Sequence, residues 1–178
     1  MGLGLKRGMV AVEPHKTEWE TAAKQCIGKL KEILQDVALD IQHVGSTAIK
    51  NICAKPIIDI AVAVSDFDAI LSMNKKLEEN GFIFRGQDIP GQYLYVCGDE
   101  DTRTHHIHVV IHASREWNNY INMRDYLNTH EDYARAYSEL KEYLAKKYPD
   151  DRKTYTEKKS DLINEILSKA EEYSRSKA

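Results

Sequence analysis

Residues 56–64 read PIIDIAVAV, and this stretch constrains the chain more than any other. It is short, rich in β-branched residues and opened by Pro56, which is tolerated at a first strand position, so it is expected to be a strand. Side chains alternate between the two faces of a strand. Ile58, Ile60, Val62 and Val64 therefore share one face, and Ile57, Asp59, Ala61 and Ala63 share the other. The bulky aliphatic face must be covered by helices. The second face carries one carboxylate among small side chains, which leaves room for a site.

Residues 105–112, HHIHVVIH, repeat the arrangement. Ile107, Val109 and Ile111 form an apolar face, with His106, His108, Val110 and His112 opposite. The two segments are expected to lie in one mixed sheet, adjacent or one strand apart, with Asp59 and His108 on the same face. The ordinary alternative is a solvated polar face, because an isolated Asp or alternating His on a half-exposed strand needs no ligand. His112 would lie roughly 13 Å from His108 along the strand, too far to share a metal with it.

Around these two strands the chain reads as helix, two strands, helix, three strands, then helices. Trp19, Ala22, Ala23, Cys26, Ile27, Leu30, Ile33 and Leu34 recur at helical spacing after a Thr17 N-cap, with Glu20 at the capping-box position. LDIQHV (39–44) is a strand, residues 66–79 a helix ended by Asn80-Gly81, and FIFR (82–85) and YLYVC (93–97) two more strands. MVAV (9–12) is a candidate short edge strand. After Ser114 the chain is helical in two or three segments, broken near Thr129-His130 and at Tyr148-Pro149-Asp150. The expected fold class is α+β, with a mixed, largely antiparallel sheet of about five strands, helices on one face and a helical C-terminal part. At 178 residues the chain suits a single domain, 1–178, with a sheet-containing core over 1–113 and helices over 114–178.

Composition narrows the function classes. A formal net charge of −3 argues against broad nucleic-acid binding. Three scattered cysteines, Cys26, Cys53 and Cys97, build neither a disulfide framework nor a CxxC metal site and point to a reducing cytoplasm. No apolar stretch approaches the roughly 18 residues of a membrane span, and MGLGLKRGMV resembles neither a secretory signal nor a myristoylation motif.

HVGST (43–47) adds a Gly-Ser turn after the LDIQHV strand. Gly45 permits close approach to the backbone, Ser46 and Thr47 offer hydroxyls, and adjacent N–H groups in such a turn can cradle phosphate oxygens. Lys55 supplies a cation nearby. Strand, Gly-Ser turn and an Asp on the next strand resemble the nucleotidyltransferase superfamily typified by DNA polymerase beta. In that superfamily the turn holds nucleotide phosphates, and acids two residues apart hold two divalent metals. This chain reads Asp59-Ile60-Ala61, so the second acid is absent.

More of the chain joins the resemblance. VAVEPHKTEW, HVGSTAIKNICAKPIIDI, HHIHVV, RDYLNTHEDYARAYSELK and YTEKKSDLINEIL together look like the GrpB family, from about Val10 to the C-terminal helix. The resemblance implies a nucleotidyltransferase-like fold. Some members are fused to dephospho-CoA kinase, which implies a link to coenzyme A metabolism. Carried onto this sequence, it points to His43, Gly45, Ser46, Thr47, Lys55 and Asp59, then to His106 and His108 where the superfamily often keeps a third acid. In the helical half it touches Arg124, Asp125, Tyr126, Lys141, Tyr155 and Lys159. Tyr155 and Lys159, spaced i and i+4, fall on one helix face. Arg124 and Lys141 are candidates to meet a phosphate, or else a local acid and solvent respectively.

Three functions remain open on these residues. One is an enzyme acting on a nucleotide-like or phosphorylated small molecule with one divalent metal, Mg or Mn. Asp59 and His108 would be its ligands, and His106 or His108 its general base. The second is a binding module without transfer activity. The third is a zinc-dependent hydrolase using His106 and His108.

Overall fold

The computed structural model describes residues 2–177; Met1 of the lead-in and Ala178 of the terminal helical part lie outside them. Among the described residues there are six strands: β1 (Leu5–Lys6), β2 (Asp40–Val44), β3 (Ile58–Val64), β4 (Ile83–Ile89), β5 (Gln92–Gly98) and β6 (Thr102–Ile111). They form one sheet in the order β2-β3-β6-β5-β4, with β1 appended to β6. β3 and β6 run parallel, while the other pairs are antiparallel. The mixed sheet is as expected, and PIIDIAVAV lies directly beside HHIHVVIH, one of the two expected placements. The extra strand is Leu5–Lys6; MVAV forms none, and Val10 is buried instead against Leu144, Ala145 and Tyr155.

Helix α1 (Thr17–Leu34) lays Trp19, Ala23, Cys26, Leu30 and Ile33 across Ile58, Ile60, Val62, Ile107 and Val109. Each large aliphatic so buried contributes roughly 1.5–3 kcal/mol. Lys16, not Thr17, occupies the N-cap position of α1, and its side chain makes no capping bond. The expected helix over 66–79 is two short ones, α2 (Phe67–Leu71) and α3 (Asn74–Glu79), which bring Ile70 and Leu77 to the same core. Asp66 caps α2 by accepting from Ala69 N–H at 2.8 Å.

The C-terminal part comprises α4 (Arg115–Thr129), α5 (Glu131–Lys147), α6 (Arg152–Lys158) and α7 (Ser160–Lys177). It packs over the opposite side of the sheet. Trp117 of α4 closes on Val44, Ala61, Ala63 and Val110, with Tyr120 and Ile121 beside it. The small residues on that face of β3 thus make room for an indole rather than for a ligand. Ile49 and Ile52, after the Gly-Ser turn, join Tyr126, Leu127, Tyr137 and Ile166 in a second core that ties the turn to α4, α5 and α7. The breaks near His130 and Tyr148 fall as expected; the further break at Lys159 separates α6 from α7. Lys159 keeps helical backbone angles there, so the Tyr155–Lys159 spacing still works: the ammonium lies 4.3 Å over the ring.

Candidate functional site

The parallel register of β3 and β6 sets Asp59 opposite His106 and Ala61 opposite His108. His108 Nε2–H donates to Asp59 Oδ1 at 2.9 Å, and His106 Nδ1 lies 3.3 Å from the same oxygen. The Asp59 side chain is 27% exposed, and those of His106 and His108 are 14% and 13%. Desolvation pushes the Asp59 carboxyl up, but hydrogen bonds from His106 and His108 outweigh it and hold the group well below the usual carboxylate range. His112, on the same face, is set against Trp117 and does not reach the pair.

The Gly-Ser turn follows directly from β2, whose Val44 pairs with Asp59. Gly45 has φ +69°, and a Cβ there would lie 2.6 Å from Asp59 Oδ2. The close approach that glycine permits is therefore made by the chain's own carboxylate. Ser46 begins a short 3₁₀ turn (Ser46–Ala48) and faces the same space as Asp59. Thr47 is buried, with its hydroxyl 2.9 Å from His43 Nε2. Burial drives that imidazole down to about 4. His43 and Thr47 brace the turn from behind.

Above this floor is a cavity of about 420 Å³. α4 contributes Tyr120 and Arg124 to its wall, α5 Tyr137 and Lys141, and α6 with its C-cap Arg152, Tyr155, Thr156 and Lys159. Lys55 enters from the segment before β3. Every residue expected at the site except the His43 brace, Asp125 and Tyr126 lines this one space. Asp125 is exposed and paired with Arg124 at 2.8 Å, and Tyr126 stacks on His130 within the helical core.

The cations are arranged in two ways. Arg124 is held by Asp125 and also donates to Gln42 Oε1 at 2.9 Å and the His43 carbonyl at 3.2 Å, so it anchors β2 to α4 while facing the cavity. The lysines rest on aromatic rings: Lys141 over Tyr137 at 4.5 Å, Lys55 and Lys159 over Tyr155 at 5.4 and 4.3 Å. Lys141 also donates to the Cys53 carbonyl and is only 2% exposed. Burial, followed by mutual repulsion, pushes Lys159 down to about 7; burial and Arg152 push Lys55 to about 8. Burial likewise lowers Lys141 to about 8.

Arg152, Tyr120 and Tyr137 escaped sequence reading. Tyr120 and Tyr137 stand four residues before Arg124 and Lys141, so the i, i+4 rule applied backwards would have found both. Tyr120 stacks on His108, with ring centroids 5.1 Å apart, and donates to Gln92 Oε1 at 2.6 Å. It is the roof of the His–Asp cluster. Ala61, by contrast, is fully buried and lies outside the cavity.

A mixed sheet with a Gly-Ser turn beside the strand that carries Asp59 defines an α+β fold of the kind seen in nucleotidyltransferases. The poly(U) polymerase Cid1 shares that fold: its complex with a UTP analogue superposes with a TM-score of 0.51 at 12% identity, over 75% of this chain and 42% of Cid1. The chain belongs to the GrpB family, whose model, described as GrpB protein, matches residues 9–169. Conserved protein GrpB from Enterococcus faecalis superposes with a TM-score of 0.85 at 29% identity, covering 92% of this chain and 99% of that one. The glutamate-rich protein GrpB of Alkalihalophilus pseudofirmus is 36% identical over 93% of this chain and 98% of its own length. The UPF0157 protein YqkA of Bacillus subtilis is 28% identical over 90% of this chain and 47% of its own. Among the described residues no helix is long and apolar enough to cross a membrane.

Proposed function

We propose that the cavity binds a nucleotide or another phosphorylated small molecule, with its phosphates against the lysine–arginine wall. The observation that carries this is charge. Lys55, Arg124, Lys141, Arg152 and Lys159 line a space in which Asp59 is the one carboxylate. Crowded ammonium groups in a half-buried wall repel one another and lose hydration, and a polyanion relieves both costs. Ser46 and the turn around it extend the same wall toward Asp59. Cid1, which shares the fold, has been solved with a UTP analogue and with MgGTP, which supports a nucleotide among the candidates. The family's implied link to coenzyme A adds dephospho-coenzyme A, whose pyrophosphate presents the same chemistry.

Two-metal phosphoryl transfer does not fit these residues. It needs two carboxylates bridging two ions, and the position that would supply the second is Ala61, sealed beneath Trp117. Binding is therefore the primary reading. A second reading, catalysis by a His–Asp pair, is favoured by one contact: His106 turns Nδ1 to Asp59 Oδ1 at 3.3 Å, which leaves its Nε2 as the nitrogen that could act as a general base at the cavity floor.

The test is calorimetric titration with nucleoside mono-, di- and triphosphates, pyrophosphate and dephospho-coenzyme A, alongside assays of phosphate release. Replacing Lys159 or Ser46 with Ala should weaken the best ligand by about 1–3 kcal/mol, the usual loss for a charge-assisted hydrogen bond. If no phosphorylated compound in the panel binds, or the variants bind as the wild type does, the cavity is not a phosphate site. Turnover that disappears in His106→Gln but not in His112→Gln would establish the catalytic reading.

A further inference from the structure

We propose that Asp59, His106 and His108 form a site for one first-row transition ion of the manganese-to-zinc series, and that magnesium is not its natural occupant. A carboxylate oxygen and two imidazole nitrogens converge here, with their donor atoms all within 4.8 Å of one another. Metal bonds of about 2.0–2.1 Å to such donors place neighbouring ligand atoms roughly 3.0–3.4 Å apart. The observed spacings from Asp59 Oδ1 are 3.3 Å to His106 Nδ1 and 2.9 Å to His108 Nε2. All three side chains come from adjacent strands in fixed register, so an ion would require little rearrangement of the backbone.

Hydrogen-bonded His–Asp clusters have similar spacings, so a second observation is needed. It lies on the far side of the His108 ring: Nδ1 is buried and has no hydrogen-bond partner among the described residues. A buried imidazole nitrogen left unpaired is a standing cost to the fold. With Nδ1 turned away from the cavity, Nε2 is the nitrogen that His108 can offer to an ion. That nitrogen points at Asp59 and into the cavity.

Donor chemistry selects the ion. Magnesium favours six oxygens in a near-ideal octahedron and keeps its waters, whereas two imidazoles and one carboxylate suit zinc, manganese, iron, cobalt or nickel. With only three protein ligands, further coordination positions open toward the cavity. The inference stands without the phosphate reading, and the two are tested separately.

The experiment is titration of tag-free, chelator-stripped full-length protein with Zn²⁺, Mn²⁺ and Mg²⁺ alone, with no phosphate compound present. The readouts are calorimetry and metal content after gel filtration. One equivalent of Zn²⁺ or Mn²⁺ is expected, with Mg²⁺ weaker by about 100-fold or more. His106→Gln, His108→Gln and Asp59→Asn should each weaken transition-metal binding by about tenfold or more. His112→Gln should leave it unchanged. Circular dichroism confirms folding; if a substitution unfolds the chain, protection of His106 and His108 from diethylpyrocarbonate by metal in the wild type gives the same reading. Sub-stoichiometric binding, equal affinity for Mg²⁺, or retention of metal by both His106→Gln and His108→Gln would overturn the site. Metal binding here by a protein that binds no phosphorylated compound in the separate panel would leave this inference standing and defeat only the phosphate reading.

Discussion

Gly45 and Asp59 are packed so closely that a single methyl group on Gly45 would lie 2.6 Å from Asp59 Oδ2 and 2.8 Å from its Cβ. The turn after β2 and the carboxylate on β3 are thus one structural unit, and the glycine's φ of +69° is part of it.

Gly45→Ala should therefore do two things. Left-handed backbone strain and the clash with Asp59 should lower stability by about 1–3 kcal/mol in urea unfolding. The displaced carboxylate should also lose its alignment with His106 and His108, weakening whatever the triad holds. An unchanged midpoint would show that the turn relaxes freely and that the packing is incidental.

Acid should expose the Asp59 interaction. Its folded pKa is below the usual carboxylate value, so its contribution is present above the unfolded pKa and is lost as pH falls through the folded one. In metal-free buffer Asp59→Asn should be less stable than the wild type by about 1–3 kcal/mol at neutral pH. The gap should narrow steadily below about pH 4, where the unfolded carboxyl protonates. Parallel stability curves for the two proteins from pH 7 to 3 would contradict this.

The lysine wall carries the opposite charge but gives the same slope at higher pH, because its folded pKa values are lowered too. Lys55 and Lys141 are lowered to about 8 and Lys159 to about 7, so the unfolded chain binds more protons above those values. Stability of the ligand-free protein should therefore rise as pH increases from about 7 to about 8.5. Beyond that window the buried thiols Cys26 and Cys97, pushed up to about 12 and 11, begin to work against it. Phosphate-ligand affinity should fall over the same window, as the ammonium groups lose protons. Thermal unfolding at four or five pH values, with and without pyrophosphate, checks both slopes, and Lys159→Met should flatten them.

Period-2 alternation was enough to place Asp59 and His108 on one face, because a strand allows only two faces and the register follows from burying Ile58, Ile60 and Val62. The Gly-Ser turn was legible for the same local reason. Contacts set by tertiary docking were not. Nothing in the sequence near Thr47 shows that His43 will occupy its hydroxyl, or that Lys141 will find the Cys53 carbonyl. Arg152 enters the cavity only because α6 folds back after Asp151. Small residues at 61 and 63 look equally like space for a ligand or for a neighbouring helix, and only the position of Trp117 decides between them.

That decision makes Ala61→Asp the sharpest discriminator. On sequence alone, restoring the second acid of a D-x-D pair should build a two-metal site and strengthen Mn²⁺ binding. In the folded protein Ala61 has no exposed surface and packs with Val44, Ala63, Val110 and Trp117. A carboxylate there would be taken from water into an apolar pocket without a cation, a change that costs several kcal/mol unless the group protonates or the helix lifts. The expected result is a fall in stability of about 3–5 kcal/mol, as for an uncompensated buried charge, with no gain in Mn²⁺ affinity. Combined with Trp117→Gly, which admits water to the new carboxylate, the two losses should be less than additive in a double-mutant cycle. Stronger Mn²⁺ binding by Ala61→Asp at undiminished stability would mean that α4 yields readily and that the two-metal chemistry of the fold is one substitution away.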